Sequence, residues 1–170
     1  MPRQKLDIGT KLHDRYELLE EIGEGGHGVV YRARQTNTDQ IVAVKVLLNV
    51  GSEEHLARFD REMKLLAQLG HPHLVNLIDR GEADGNHFLV LEYLEGDDLA
   101  ERIDDGPLEP SLARRIMLHV LEGVEVAHNE GIIHRDLKPG NVMLTGTEKR
   151  PVAKVLDFGI AKVTGELAED

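Results

Sequence analysis

The sequence contains no cysteine, which excludes disulfides and thiolate metal sites and fits a reducing compartment. No apolar run approaches the roughly 18–20 residues that a membrane-spanning helix needs. The opening stretch MPRQKLDIGTKLHDRY lacks the apolar h-region of a secretory signal, so a cytoplasmic chain without a membrane segment is expected. Clustered Lys and Arg are also missing. The net charge is −11 and no basic stripe is visible, which argues against a nucleic-acid partner. The nine histidines form no H-x-x-x-H or H-E-x-x-H spacing that would mark a zinc helix. There is no internal repeat and no low-complexity tract.

What is present is a globular balance. Hydrophobic residues make up 41% and charged residues 30% of 170, enough for one ordinary domain or two small lobes. YELLEEIGEG and GVVYRARQ read as strands flanking a glycine turn, TNTD as a turn, and QIVAVKVLL as a third strand. A helix follows, with Ser52 as N-cap, Leu56, Phe59, Met63 and Leu66 at helical spacing, and Gly70 as the stop. LVNLID and HFLVLEYL read as two further strands around the turn GEADGN. Beyond Leu94 helices take over. EGDDLAERIDDG suggests a short one, and Pro110-Ser111 opens a long one with the stripe Leu112, Ile116, Val120, Val124 and Ala127. GIIHRDLKPGNVML and AKVLDFGIAK each combine a loop with a short strand, and TGTEKRP between them reads as a lengthened hairpin turn.

GEGGHGVVY carries the spacing G-x-G-x-x-G at Gly23, Gly25 and Gly28. A dinucleotide fingerprint requires a helix after the turn, whereas Val29, Val30 and Tyr31 begin a strand. The Walker spacing is absent as well. The glycines therefore sit in a hairpin, which is either a phosphate cover or simply a flexible turn. Lys45 closes the apolar run Val42-Ala43-Val44, either as a snorkelling surface lysine or as a phosphate ligand. Glu62, beside the apolar face of the first helix, is an acid able to partner it, although helical glutamates mostly face solvent. His134-Arg135-Asp136-Leu137-Lys138-Pro139-Gly140-Asn141 gathers the groups that phosphoryl transfer needs: a carboxylate, a cation and oxygen donors for a metal. Asp157-Phe158-Gly159 places an acid at the end of a strand.

These motifs, in this order, resemble the eukaryotic-type (Hanks-type) serine/threonine protein kinases, in the style of bacterial members, from about Tyr16 to Lys162. The resemblance implies an α+β kinase-like fold. It would have a complete five-stranded N-lobe with one main helix (residues 16–94), an extension at 1–15, and an incomplete, mainly helical C-lobe (95–170). It implies an ATP-dependent enzyme acting on Ser or Thr of a protein substrate, with Mg²⁺ or Mn²⁺. The nucleotide site would comprise Ile22, Gly23, Gly25, Gly28, Val30, Ala43, Lys45, Leu91, Glu92, Leu94, Asp98 and Met143. Lys45 would pair with Glu62, Asp136 would orient the substrate hydroxyl, Lys138 would neutralise the moving phosphoryl group, and Asn141 and Asp157 would hold the metal. Leu66, Leu77, His134 and Phe158 match the family's stacked apolar column. No A-P-E follows Gly159, so the expectation includes an exposed apolar patch where the long helix's stripe lacks cover, and self-association through it. The alternative expectation is an inactive kinase fragment serving as a nucleotide-binding or interaction module.

Overall fold

A computed structural model describes residues 5–25, 28–47, 53–148 and 150–158. The expected cap Ser52, the hairpin tip at Gly26 and His27, the side chain of Leu56 and Gly159 lie outside the described residues. In chain order the elements are β1 (Lys11–Leu12), β2 (Tyr16–Gly25), β3 (Gly28–Gln35), β4 (Ile41–Leu47), α1 (Glu53–Leu66), β5 (Leu77–Ala83) and β6 (Asn86–Glu92). They continue with β7 (Asp97–Asp98), α2 (Leu99–Asp104), α3 (Pro110–Asn129), a 3₁₀ turn at Pro139–Asn141, β8 (Val142–Thr147) and β9 (Arg150–Val155). The described residues fall into two compact units, one within Met1–Arg61 and Leu77–Tyr93, the other within Glu62–Asn76 and Leu94–Gly159.

The first unit is a six-stranded antiparallel sheet in the order β1-β2-β3-β4-β6-β5. Period-two alternation decides its faces. Val42, Val44 and Val46 of β4 join Val29, Tyr31, Phe88 and Val90 in one apolar core with Leu12, Tyr16 and Leu18. The intervening residues Ala43 and Lys45 face the other way. The Tyr16 hydroxyl donates to Asp79 Oδ2 at 2.7 Å, so β2 reaches β5 across the coiled sheet. Burial and that carboxylate push the phenol up to about 12.

The second unit packs α3 on the three-stranded sheet β7-β8-β9. Pro110 opens α3, where its missing N–H costs nothing. Gly131 closes it at φ +74. The Gly131 N–H donates to His128 O and the buried Ile132 N–H to Ala127 O, both at 2.9 Å, which is a Schellman stop. This stop launches the loop that carries Asp136.

The five strands expected of the first lobe are present, and β1 adds a sixth out of the expected N-terminal extension. β5 begins at Leu77 rather than Leu74, because Leu74 instead bridges Val155 in the second unit. TGTEKRP is not a long turn. Pairing runs out to Thr147↔Arg150, so most of that polar stretch is strand. The apolar stripe of α3 is the expected one, but it does not lack cover. Ile116, Val120 and Ala127 are buried against Val142, Ala153 and Val155, with Leu112 and Val124 beside them. The exposed apolar face belongs to Met117, Leu118 and Leu121, at 50%, 46% and 57%.

Among the described hairpin glycines, Gly28 is the one that the packing demands. Its φ is +153, and an added Cβ would lie 2.2 Å from the Val46 carbonyl oxygen, whereas one at Gly25 meets nothing within 4 Å. Gly28→Ala should therefore destabilise the chain by about 1–3 kcal/mol in urea unfolding, and Gly25→Ala by less than about 0.5 kcal/mol.

Candidate active site

In the first unit the ladder of β2 and β3 continues to Gly25↔Gly28, which makes the glycine motif a strand–turn–strand hairpin and excludes the dinucleotide arrangement. Val30 lies opposite Lys45, Lys45 opposite Leu89, and Ala43 opposite Leu91. Alternation therefore puts Val30, Ala43, Lys45 and Leu91 on the sheet face that the valine core does not use. Glu92 ends β6 opposite Val42. Ile22, on the hairpin, is 44% exposed, while Lys45 is only 4% exposed. A cation buried on a strand among apolar neighbours is costly unless an anion meets it. A cavity of about 280 Å³ on this unit, lined by Phe59, Asp60, Arg80, His87 and Leu89 among others, contains none of the residues expected at the nucleotide site.

In the second unit one buried imidazole organises the loop. His134 Nδ1 accepts the Asp136 N–H at 3.2 Å, and Nε2 donates to the Leu156 carbonyl. These two partners fix the neutral tautomer. Burial pulls the His134 pKa down, against the fields of Asp157 and Asp136. The His134 ring meets Phe158 edge-on at 4.6 Å, and Leu66 packs on the cluster that holds Phe158. Leu77, the other member of the expected column, is buried at the start of β5 in the first unit.

The residues expected to do chemistry converge around this hub. Asn141 Nδ2 donates to the Asp136 backbone carbonyl at 2.8 Å and to Asp136 Oδ2 at 3.2 Å. Lys138 Nζ stands 3.0 Å from the same carboxylate oxygen. Leu156 N–H donates to Asn141 O at 2.9 Å, which ties the loop to the strand that delivers Asp157. Arg135 and Asp157 adopt left-handed backbone angles, φ +69 and +60, that non-glycine residues rarely hold. Asp98 and Met143 are register partners between β7 and β8, and Leu94 lies just ahead of β7. Asp98 caps α2 through a capping box with Glu101, which occupies its Oδ1. Glu62 is half-buried on α1. Burial raises its pKa, and the Arg135 charge opposes the rise.

The donor set suits a hard divalent cation. Asn141 turns its amide nitrogen toward Asp136, which leaves the amide oxygen for another ligand, and Asp157 supplies a carboxylate. Among the described residues no group of three or more His, Cys, Asp or Glu forms an all-protein cage. Two oxygen donors match a cation that keeps water and phosphate oxygens in its shell. Sequence reasoning named the residues of this centre but not the role of His134 as its tie, since nothing in HRD spacing reveals which atoms an imidazole bonds.

The family described as protein kinase domain matches residues 16–169. The chain is similar to serine/threonine-protein kinase pkn3 of Myxococcus xanthus, 42% identical over 162 residues, which cover 92% of this chain and 30% of that protein. It is 39% identical over 157 residues to serine/threonine-protein kinase PrkC of Bacillus subtilis, covering 91% of this chain and 24% of that one. The chain thus spans less than a third of the length of these relatives. Among solved structures, the Mycobacterium tuberculosis PknI kinase domain superimposes with a TM-score of 0.82 at 31% identity, over 92% of this chain and 64% of that one.

Replacing His134 by Phe keeps the ring contact and deletes both hydrogen bonds, at a cost of about 2–3 kcal/mol in urea unfolding near pH 8. The wild-type pKa is lower folded than unfolded. The unfolded chain therefore binds the proton first, and stability falls as pH drops through about 6.5, levelling off below the lowered folded value. His134→Phe should flatten part of that slope when unfolding is measured between about pH 8 and 5.

Proposed function

Because the chain belongs to the protein kinase family, we propose that it carries the nucleotide-binding and catalytic residues of a serine/threonine kinase. The enzyme would move the γ-phosphoryl group of ATP to a protein hydroxyl. The observation that carries this reading is the Asp136–Asn141–Lys138 constellation tied to the strand before Asp157.

In this reading residues 16–94 act as the N-lobe and 95–170 contribute to the C-lobe. Gly23, Gly25 and Gly28 cover the phosphates with backbone N–H groups, and Ile22, Val30, Ala43, Leu91 and Met143 offer apolar surface to the adenine. Glu92 and Leu94 offer backbone groups to its edge, and Asp98 offers its second carboxylate oxygen to the ribose. Lys45 holds the α- and β-phosphates, with Glu62 as its counter-charge. Asn141 and Asp157 hold Mg²⁺ or Mn²⁺, which neutralises charge on the phosphate oxygens. Asp136 accepts or orients the proton of the Ser or Thr hydroxyl. That oxygen bonds to the γ-phosphorus as the bond from phosphorus to the ADP oxygen breaks, and Lys138 offsets the charge on the moving group.

The two hydrogen bonds from Asn141 support the role of Asp136, because one holds its carboxylate Oδ2 and the other its backbone carbonyl, which together orient the side chain. No described helix is long and apolar enough to cross a membrane. The exposed Met117, Leu118 and Leu121 support self-association through α3, which sedimentation of a Leu121→Glu variant would test as a shift to monomer.

Asp136→Asn preserves shape and removes the base. It should lower transfer of labelled phosphate from ATP to a generic protein substrate by about a hundredfold to ten-thousandfold, with the melting temperature unchanged. Full activity in that variant would overturn the assignment. Asp157→Asn should instead raise the concentration of divalent cation needed for half-maximal transfer.

A further inference from the structure

A cluster of three histidines in the second unit lies outside the chemistry described above. His73 and His119 stack at 4.0 Å between centroids with their planes 13° apart, and His71 meets His73 edge-on at 5.4 Å. His119 comes from α3, and His71 and His73 from the segment after α1. Gly123 makes the close approach feasible, since a Cβ there would lie 2.8 Å from the His73 carbonyl oxygen.

Both stacked rings bond one residue of β9. His73 Nδ1 donates to the Ala153 carbonyl at 2.9 Å, and the Ala153 N–H donates to His119 Nδ1 at 3.3 Å. Ala153 lies opposite Leu144, and it is on its outward side that its two polar groups meet the imidazoles. The edge is then continued by backbone. Val155 N–H donates to His73 O at 2.9 Å, and Val75 N–H to Val155 O at 3.0 Å. Two residues beyond Val155 stands Asp157.

The hydrogen-bond roles dictate protonation. His119 Nδ1 must keep its lone pair to receive the Ala153 N–H, so its proton sits on Nε2. A second proton would turn a donor toward a donor and place a charge on a ring stacked against His73. His71 Nδ1 likewise receives the His73 N–H at 3.2 Å. Glu122 Oε2 faces His73 Nε2 at 3.4 Å, Arg115 acts on His119, and Lys154 acts on His71. Burial, then the neighbouring His73, pulls the pKa of both His71 and His119 down.

We propose that His73 and His119 are positioning residues forming a proton-sensitive clamp on β9. While His119 is neutral, the clamp holds the edge of the strand that presents Asp157, and protonation of His119 releases that edge. Only the consequence at Asp157 rests on the kinase reading.

The test uses the full chain labelled with ¹⁵N. Histidine correlation spectra and amide exchange at Ala153 and Val155, corrected for the intrinsic pH dependence, are followed from about pH 8 to 5.5. His119 should carry its proton on Nε2 at the upper end. Ala153 protection should fall about tenfold or more as His119 titrates, the effect of leaving a buried N–H unsatisfied. His119→Asn, whose Oδ1 accepts the same N–H without titrating, should keep protection throughout. His119→Phe should show low protection already at about pH 8. Titration of His119 with no change at Ala153, or an Asn variant losing protection at the wild-type midpoint, overturns the clamp. Binding of Mg·ATP should weaken with the same midpoint in wild type and not in His119→Asn. Opening of the clamp in a chain that binds no Mg·ATP at any pH upholds the clamp and overturns the kinase reading.

Discussion

A neutral imidazole is the constraint on which the second unit depends. His134 spends one nitrogen on the N–H of Asp136 and the other on the carbonyl of Leu156. Two chain segments far apart in sequence are thereby joined within one side chain's reach, and each brings its own acid. The bonds from Asn141 then fix Asp136 at its carboxylate and its backbone carbonyl, and the Leu156–Asn141 bond repeats the tie through the backbone. A charged ring could not serve as the acceptor, so burial that lowers the His134 pKa and geometry that needs a lone pair act in the same direction. Arg135 and Asp157, both in the left-handed region, are held there by the surrounding bonds rather than by any preference of their own.

The first unit solves a different problem, that of keeping a lysine on a buried strand without placing it in the core. Alternation does this. Val42, Val44 and Val46 fill the core, and Ala43 and Lys45 take the opposite face beside Val30, Leu89 and Leu91. Strand pairing with β3 and β6 on both sides fixes the register, so Lys45 has one position.

Much of this was legible in the chain. The strand QIVAVKVLL, the apolar stripe of α3 and the strand after Gly28 each follow from residue types and spacing alone. What escaped has a physical reason in each case. β1 is two residues long and carries no pattern. β5 continues through Arg80, Gly81 and Glu82, whose polarity suits a sheet edge but reads as a turn. TGTEKRP has turn composition, yet its residues pair as the outer part of an exposed hairpin. In α3 the inward stripe was correctly placed, but β8 and β9 already cover it, and the exposed face is formed by neighbours on the helix surface. The imidazole contacts were invisible, because His134 with Leu156 and His73 with His119 depend on a chain path that no local spacing records.

The register of β4 also governs what kinds of change this chain tolerates. Substitution of one aliphatic residue by another along the strand leaves Lys45 where it is. Loss or gain of a single residue between Ile41 and Lys45 would turn the ammonium into the valine core and a valine out of it. For this strand, length is therefore under far stricter control than composition. The hairpin tip between β8 and β9, whose flanking Thr147, Glu148 and Arg150 are exposed, has no such restriction on its length.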